Sequence, residues 1–327
     1  MKPQHQFPDL HDTKGLSIER LVTFCRVVEA GGLSKAAERF GLDLSLVSRQ
    51  FTDLEAFFGR KLASRSRKDF TLNEFGEDLH ELASGFIQSV AKLRDRCANK
   101  RQTFSLASGG GLISWLVSPR VDSLRLAQPN AGFVIKSFRT KDIVNGVLCN
   151  QIDFGLVRQS AACDSRLGSQ SIGIMDYSVF MSAHTASTYE IGTKTTALEA
   201  IAKVPLILID GDGEFREKLE SNARAHNLTM STVIECGSFT DAAMAVTWGN
   251  VCSVLPNLAD QYFADIDHVK IPWVTDDLSR EICLIWSKSA MRTGGRAKRH
   301  LLEHLKRILN FGRAPRTRRY FAKSSDS

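Results

Sequence analysis

The stretch that decides the fold of the N-terminal region is AAERFGLDLSLVSRQFTDLE, residues 36–55. It predicts a short helix, a turn at Gly41 and a second helix that begins after Asp43. On the second helix, apolar and polar side chains recur on opposite faces. The apolar face comprises Val47, Phe51, Leu54 and Phe58, and the polar face comprises Ser45, Ser48, Arg49 and Thr52. Two helices joined by a short glycine-containing turn predict a helix-turn-helix, whose second helix enters a DNA major groove.

The polar face carries residue types that read base edges. Arg49 can donate two hydrogen bonds to guanine, Gln50 at the margin of the face can pair with adenine, and hydroxyl groups suit bases or phosphates. A basic stretch follows where a wing would reach phosphates beside the groove, with Arg60, Lys61, Arg65, Arg67 and Lys68. An ordinary solvated face is the alternative interpretation of the helix alone. The glycine turn and the basic stretch together favour DNA binding.

Capping residues delimit the neighbouring helices. Ser17 and Ser34 are predicted N-caps of the two preceding helices, and Asn73 is predicted to cap a long helix over 74–97. At 1.5 Å per residue that helix is about 36 Å long. One apolar stripe runs along it, formed by Leu79, Leu82, Phe86, Val90 and Leu93. A long helix with one such stripe indicates a partner helix, so we expect it to link the domains and to mediate dimerisation.

The pattern changes near Lys100, where short apolar runs begin to alternate with helical segments. The runs are FSLA, GFVIKSF, DFGLV, YSVFMSA, VPLILID, TVIECG, CSVLP, VKIPWV and EICLIWS. Alternation of this kind predicts α/β units around mainly parallel sheets. Because about 190 residues is long for one sheet, we expect two sheets that share a cleft.

This pattern predicts a domain order for the whole chain. The predicted segments are a disordered leader over 1–15, a winged helix-turn-helix over 16–73, a linker helix over 74–100, an α/β domain over 101–310 and a basic disordered tail over 311–327. Within the α/β domain, subdomain I covers about 101–161 and 266–310, and subdomain II covers about 162–265.

Composition and charge bound the class of protein. The chain is 43% apolar and 24% charged, which is typical of a folded soluble protein, and no apolar run is long enough to span a bilayer. No secretory signal is visible, so we expect a cytoplasmic location without membrane contact. Residues 1–101 carry a net charge of +3, residues 102–291 one of −5 and residues 292–327 one of +9. Basic ends around an acidic middle suit termini that meet a polyanion.

The cysteines and histidines indicate neither a metal nor a cofactor. The seven cysteines are scattered and form no C-x-x-C pair, so we expect reduced, buried thiols. No H-E-x-x-H motif, nucleophile elbow or complete dinucleotide or phosphate-loop motif is present, which argues against an enzyme.

The N-terminal sequence resembles the winged helix-turn-helix of LysR-type transcriptional regulators. The resemblance rests on the spacing from Leu21 to Glu38, on SRQ at 48–50, on LE at 54–55 and on the segment 59–76. A weaker resemblance continues in NQIDFGLVR, VPLILID and AVTWGNVCSVLP. It implies a winged helix-turn-helix, a long linker helix and two Rossmann-like α/β subdomains resembling periplasmic binding proteins. The candidate DNA-contacting residues are Lys35, Leu44, Ser45, Leu46, Ser48, Arg49, Gln50, Thr52, Arg65, Arg67 and Lys68.

The chain departs from the family pattern at several positions. Leu44 and Ser45 replace residues that commonly open the recognition helix, so the preferred bases cannot be transferred from relatives. Ala63 replaces a phenylalanine that usually anchors the wing, which predicts a looser wing. Val251 stands where a second glycine usually lies, which concerns strand packing.

The resemblance also implies a small-molecule effector between the two subdomains. The candidate contacts are Ser108, Gly109, Gly110, Gly111, Arg139, Thr140, Gly211, Asp212, Ser238 and Thr240. An anion beside the glycines would be held by backbone N–H groups. Thr140 can equally serve only as an N-cap, and Arg139 can equally form a surface ion pair.

Three function classes remain open at this point. The main hypothesis is an effector-responsive transcriptional regulator that binds double-stranded promoter DNA as a homodimer or homotetramer, with RNA polymerase as a further partner. The alternative is a ligand-independent or partner-controlled repressor with a vestigial cleft. An α/β enzyme is the third class.

Overall fold

The computed structural model describes residues 15–65, 70–98, 100–210, 213–273, 277–293 and 295–313 of the 327-residue chain. The chain divides into two compact units. The first comprises residues 1–101 with 148–151, and the second comprises 102–147 with 152–327.

The described residues form helices and strands that alternate in the second unit. The helices are α1 Ile18–Ala30, α2 Leu33–Phe40, α3 Leu44–Phe58, α4 Glu74–Cys97, α5 Gly110–Leu112, α6 Val121–Ala127, α7 Thr140–Leu148, α8 Ala183–Thr188, α9 Ala197–Lys203, α10 Gly213–Ala225, α11 Phe239–Trp248, α12 Lys288–Thr293 and α13 Gly295–Ile308. The strands are β1 Ala63–Arg65, β2 Phe70–Leu72, β3 Thr103–Ser108, β4 Gly132–Ser137, β5 Phe154–Arg158, β6 Leu167–Met175, β7 Tyr177–Ser182, β8 Leu206–Ile209, β9 Thr232–Cys236, β10 Cys252–Pro256, β11 His268–Pro272, β12 Arg280–Ser287 and β13 Gly312–Arg313.

Local caps define the three short helices of the first unit. The Ser17 hydroxyl accepts from the backbone N–H of Arg20 at 3.2 Å, and the Asp43 carboxylate accepts from that of Leu46 at 2.9 Å. Gly41 ends α2 with a φ of 63°, which is favourable only for a residue without a Cβ. The prediction that Ser34 caps α2 is wrong, because α2 begins at Leu33, two residues earlier than predicted, and Gly32 occupies the cap position.

The core of the first unit comes from the predicted apolar faces. Phe24, Val47, Phe51 and Leu54 are fully buried. Phe58, which the helical spacing assigned to the same face, is the last residue of α3 and is 42% exposed.

A two-stranded antiparallel hairpin, β1 with β2, forms the predicted wing. Ala63 is buried in β1, and the Phe70 ring of β2 packs edge-on against Phe51 at 6.0 Å between centroids. An aromatic side chain therefore joins the wing to α3 from the second strand of the hairpin. The Asn73 side chain accepts from the N–H of Gly76 at 2.9 Å, which caps α4 as its sequence position predicts.

The second unit contains two mixed sheets. The first has the order β13-β6-β12-β5-β3-β4, and the second has the order β11-β7-β10-β8-β9. In the first sheet β3 runs parallel to β4 and β5, whereas β12 runs antiparallel to β5 and β6. In the second sheet β7 runs antiparallel to β10 and β11. The prediction of mainly parallel sheets is therefore only partly right, because one strand in each sheet, β12 in the first and β7 in the second, runs opposite to its neighbours.

The subdomain boundaries also differ from the predicted ones. Strand β6 belongs to the first sheet and β11 to the second, so the chain crosses between sheets near Asp176 and again between Pro272 and Arg280. The predicted crossings, near 161 and 266, came too early. The centre of β6 is polar and exposed, so its sequence does not stand out as a strand. Its eight-residue pairing with β12 is visible only in the folded chain.

The prediction that the cysteine thiols are buried holds for only some of them. Cys149, Cys252 and Cys283 are buried, whereas Cys97 and Cys163 are exposed. Burial raises the pKa of the Cys252 thiol to about 12, so this thiol stays protonated and packs as an apolar group.

Candidate DNA-reading surface and effector cleft

Polar contacts fix the orientation of α3 within the first unit. Two guanidinium nitrogens of Arg20 donate to one oxygen of Asp53, at 2.8 and 3.1 Å, and so connect α1 to α3. Glu55 is buried and accepts from the ammonium of Lys61 and from the backbone N–H of Leu62, both at 3.0 Å. A buried carboxylate needs such donors. These contacts hold α3 to α1 and to the start of the wing.

The opposite side of α3 is open to solvent. Leu44, Ser45, Arg49 and Thr52 are exposed there, while Leu46 and Ser48 are half-buried, and Lys35 is exposed on α2. Among the described residues Arg49 has no hydrogen-bond or ion-pair partner, so its guanidinium is available to a ligand. The structure thus brings these seven candidates onto exposed or half-exposed positions of the helix-turn-helix.

Ser45 already has a partner within the first turn of α3. Its hydroxyl donates to the Asp43 carboxylate, which also accepts from the N–H of Leu46. These two hydrogen bonds hold the pKa of Asp43 below its usual range. Ser45 can still accept a hydrogen bond, but its own donor is used inside the helix cap.

The remaining candidate DNA contacts have a different outcome. Gln50 is only 7% exposed, and its amide donates to the Glu19 carboxylate at 2.9 Å, so it joins α1 to α3 instead of facing the groove side. Its prediction as a base contact is therefore corrected to a positioning role: it lies at the border of the two faces, and α1 covers that border. Arg67, Lys68 and the side chain of Arg65 lie outside the described residues.

The apolar stripe on α4 is exposed within this single chain. Leu82 is 72% exposed, and Phe86, Val90 and Leu93 are each more than 40% exposed. Leu79 is buried, because the start of α4 packs against the N-terminal core. Four large apolar side chains in one row are more than isolated surface residues and indicate a surface that a partner covers.

The glycine loop after β3 lies against the second subdomain. A Cβ built on Gly110 would lie 3.7 Å from the Ser137 hydroxyl and 4.0 Å from Cβ of Ser238. One built on Gly111 would lie 3.5 Å from Cβ of Phe239. The start of α11 therefore lies beside this loop, at distances that would be ordinary van der Waals contacts for a Cβ. Ser108 is fully buried, and its hydroxyl donates to the carbonyl of Leu156 at 3.3 Å, so it supports the sheet.

The start of α11 provides two of the predicted hydroxyl groups. The Ser238 hydroxyl caps the helix by accepting from the N–H of Asp241 at 3.2 Å, and it donates to the carboxylate of the same residue at 2.7 Å. The Thr240 hydroxyl is buried and has no hydrogen-bond partner among the described residues. A buried hydroxyl without a partner is uncommon and calls for a ligand or a water molecule.

The two candidates at the start of α7 differ in exposure and in position relative to the helix. Arg139 is exposed and its carbonyl accepts from the N–H of Ile143 at 3.1 Å, so Arg139 and not Thr140 occupies the cap position. Thr140 is the first helical residue and is half-buried. Gly211 and Asp212 lie outside the described residues.

Sequence reasoning missed a cationic and aromatic cluster where the two subdomains meet. The rings of Tyr177, Phe215 and Phe239 lie 5.0 to 6.0 Å apart between centroids. The guanidinium of Arg280, a buried residue of β12, lies 5.2 Å from the centroid of Phe215 and 5.9 Å from that of Tyr177. In the sequence Arg280 lies between two apolar runs, VKIPWV and EICLIWS, and these runs predict buried strands. A basic residue at the first position of an otherwise buried strand is the signal that could have found it.

An ion pair also crosses between the subdomains. Arg158, at the end of β5, lies 3.4 Å from the carboxylate of Glu214, at the start of α10. The hydrogen bond from Lys218, more than the nearby arginines, holds the pKa of Glu214 below its usual range. The Trp115 carbonyl accepts from the Gln261 side chain across the same boundary. Together with the glycine loop, these contacts close the two subdomains on each other.

Comparison with known proteins identifies the family. Residues 18–77 match the bacterial regulatory helix-turn-helix protein of the lysR family, and residues 98–309 match the LysR substrate binding domain. The chain belongs to the LysR family of transcriptional regulators.

Individual relatives of this LysR-family chain are distant in sequence. A transcriptional repressor of Pseudomonas aeruginosa is 26% identical over 151 residues, covering 45% of this chain and 46% of that protein. The regulator TdcA of Escherichia coli is 19% identical over 275 residues, covering 83% of this chain and 87% of that protein. The first match thus spans less than half of its relative, and the second spans most of it.

Solved full-length LysR-type regulators share the fold. LysG of Corynebacterium glutamicum, solved with its effector arginine bound, superposes with a TM-score of 0.64 at 14% identity, covering 92% of this chain and 100% of that chain. CbnR in complex with its target DNA superposes with a TM-score of 0.57 at 20% identity, covering 90% of this chain and 100% of that chain. These likenesses confirm the predicted LysR architecture. In the described part of the chain, no helix is both long and apolar enough to cross a membrane.

Proposed function

We propose that this LysR-family regulator binds promoter DNA sequence-specifically as a homo-oligomer and that a small molecule in the cleft of its second unit modulates this binding. The observation that carries the DNA-binding part is the exposed face of α3. Arg49 stands on it with an unoccupied guanidinium, and the hydroxyl of Thr52 lies three residues further along the same face. A guanidinium presented from a helix can pair with both acceptors of a guanine.

The cleft supports a small ligand with acceptor groups. Backbone N–H groups of the glycine loop, the buried Thr240 hydroxyl and the Arg280 guanidinium all belong to the boundary between the subdomains. These groups suit a compact carboxylate. LysG, whose bound effector is the amino acid arginine, is similar in fold and makes an amino acid or related acid a reasonable first class to test.

A ligand-independent regulator remains the second candidate, and specific contacts favour it. Phe239 packs close to Gly111, and Arg158 pairs with Glu214, so the protein's own residues form direct contacts across the boundary between the subdomains. In that case a partner protein, RNA polymerase included, would control the activity. A regulator that acts on DNA in this way works in the cytoplasm of a bacterium.

The DNA-binding proposal is tested by replacing Arg49 with alanine. Loss of one bidentate base contact costs about 1–3 kcal/mol, so we expect roughly tenfold or more weaker binding to DNA from the protein's own upstream region. Fluorescence anisotropy with a labelled duplex measures this affinity, and Arg125→Ala, an exposed arginine in the second unit, is the matched control. Equal affinities for the two variants would show that α3 does not read this DNA.

A further inference from the structure

An open pocket on the second unit lies apart from the effector cleft. It has a volume of about 710 Å³ and is lined by Trp286, Lys288, Met291, Arg292 and Arg299. These residues come from the end of β12 and from α12 and α13. Its volume falls in the range of small-molecule sites, and its lining combines apolar surface with several cations.

The strand register places this pocket at the far end of the first sheet from the glycine loop. Strand β12 is antiparallel to β5, with Ile282 opposite Arg158 and Ile285 opposite Gly155. Trp286 and Lys288 therefore lie beyond the N-terminal end of β5. The glycine loop follows the C-terminal end of β3, which is parallel to β5. The two sites thus lie at opposite ends of the parallel strands of one sheet.

The cations of the pocket carry more positive charge than the described acids around it neutralise. Arg292 and Arg299 are exposed and have no ion-pair partner among the described residues. The ammonium of Lys288 donates to the carbonyl of Ser165 at 2.8 Å and lies near Asp164, whose carboxylate partly offsets its charge. Two acids of this region also pair with other cations, Asp164 with Arg166 and Glu303 with Lys306, both at 2.7 Å. Arg292 and Arg299 therefore carry the charges that a bound anion would offset.

The indole of Trp286 is a fixed wall of the pocket. It lies across from Gly168 on the paired strand, where a Cβ would come within 2.3 Å of the ring. The ammonium of Lys306 lies 5.0 Å from the ring centroid on Trp286. Only glycine at position 168 leaves room for the ring in this place, and the cation–π contact adds to its fixation. Trp286 and Met291 therefore give the cationic pocket a rigid apolar side.

We propose that this pocket binds a small phosphate monoester whose apolar part lies against Trp286 and Met291. Two guanidinium groups suit phosphate oxygens, because each presents a planar fork of donors that can form paired hydrogen bonds. The ammonium of Lys288 adds a third charge beside them. The site goes beyond the proposed effector response, since it uses none of the cleft residues.

Isothermal titration of the full chain with adenosine monophosphate tests this proposal. We expect saturable binding with a dissociation constant below about 1 mM, and binding at least about tenfold weaker for adenosine, which lacks the phosphate. The double variant Arg292→Gln with Arg299→Gln should weaken the binding at least about tenfold. Arg296→Gln, an exposed arginine on the same helix that does not line the pocket, should leave it unchanged. Circular dichroism verifies that each variant is folded.

Several results would overturn the proposal. Absence of saturable binding by adenosine monophosphate and by inorganic phosphate up to about 10 mM would exclude the site. Equal affinities of the double variant and of Arg296→Gln would place the ligand elsewhere. Loss of affinity for a duplex of random sequence in the double variant, without any binding of the monophosphate, would assign the cations to nucleic acid. Arg49→Ala should leave the monophosphate affinity unchanged, which separates this test from that of the DNA-binding proposal.

Discussion

At the residue scale, single side chains decide whether the helix-turn-helix can present its polar face. Arg49 and Gln50 are neighbours in the sequence with opposite fates, because α1 covers one side of α3 and leaves the other open. Glu19 takes the Gln50 amide, whereas Arg49 remains exposed. Residue type alone does not separate these two roles.

Gly76 allows a close approach between α4 and the wing. A Cβ at this position would lie 2.0 Å from the carbonyl oxygen of Leu62, a backbone atom that cannot turn away. We expect Gly76→Ala to lower the free energy of unfolding by about 1–3 kcal/mol or more, because the wing must move. Chemical denaturation measures the effect, with Gly192→Ala, which meets open space, as the control. An equal stability of both variants would contradict the close approach.

His80 makes the stability of the first unit depend on pH. Burial holds the pKa of this histidine below its usual value of 6.5, and its ring lies 6.3 Å from that of Phe24. Because the unfolded chain then binds the proton more readily, stability is full above pH 6.5 and falls as the pH drops below that value toward the lower folded pKa.

The variant His80→Phe should remove this dependence while keeping an aromatic ring in place. We expect the denaturation midpoint of the wild type to fall more than that of the variant between about pH 7.5 and pH 5.5. His184→Gln, at an exposed site, is the control and should behave as the wild type does. Parallel pH profiles of the wild type and His80→Phe would argue against the effect.

At the element scale, α4 combines a buried start with an exposed stripe. Leu79 packs into the N-terminal core, and the row from Leu82 to Leu93 continues without cover in the single chain. The periodicity of the sequence predicts the stripe, but it does not tell which part of it the protein's own core covers.

Charges placed on the stripe should separate the copies of the protein. We expect Leu82→Glu with Phe86→Glu to shift the chain from an oligomer toward a monomer, because carboxylates cannot be buried without partners. Analytical ultracentrifugation over a range of concentrations measures this change. Gln88→Glu, on another face of α4, should keep the assembly of the wild type. A double variant that still forms the wild-type oligomer would assign the interface to another surface.

At the scale of the whole molecule, the closed contact between subdomains limits what the cleft can accept. The glycine loop touches the start of α11, yet the Thr240 hydroxyl is left buried without a hydrogen-bond partner among the described residues. A small ligand that satisfied this hydroxyl would bind only one arrangement of the subdomains and so shift their equilibrium.

A thermal-shift screen of amino acids and small carboxylates tests the effector proposal. A ligand present at 100 times its dissociation constant adds about 2.7 kcal/mol of stability, enough to raise the melting temperature by several degrees. We expect Thr240→Val to reduce the shift for the active compound, and Thr188→Val, outside the cleft, to leave it unchanged. If no compound shifts the melting temperature, the ligand-independent alternative replaces this proposal. The predicted disordered tail over 311–327 begins too early, because Gly312–Arg313 form β13 and pair with β6. Residues 314–327 lie outside those described, and the role of this basic segment stays a prediction.

The sequence by itself determined the helix-turn-helix, the caps of α1, α3 and α4 and the presence of two α/β subdomains. These features rest on local signals, because periodicity and capping residues act within a few positions of the chain. The folded structure alone decided the burial of Gln50, the reversed directions of β7 and β12, the sheets to which β6 and β11 belong, and the contact of Arg280 with two aromatic rings. Each of these depends on residues distant in sequence, and no local pattern records which of them will be neighbours.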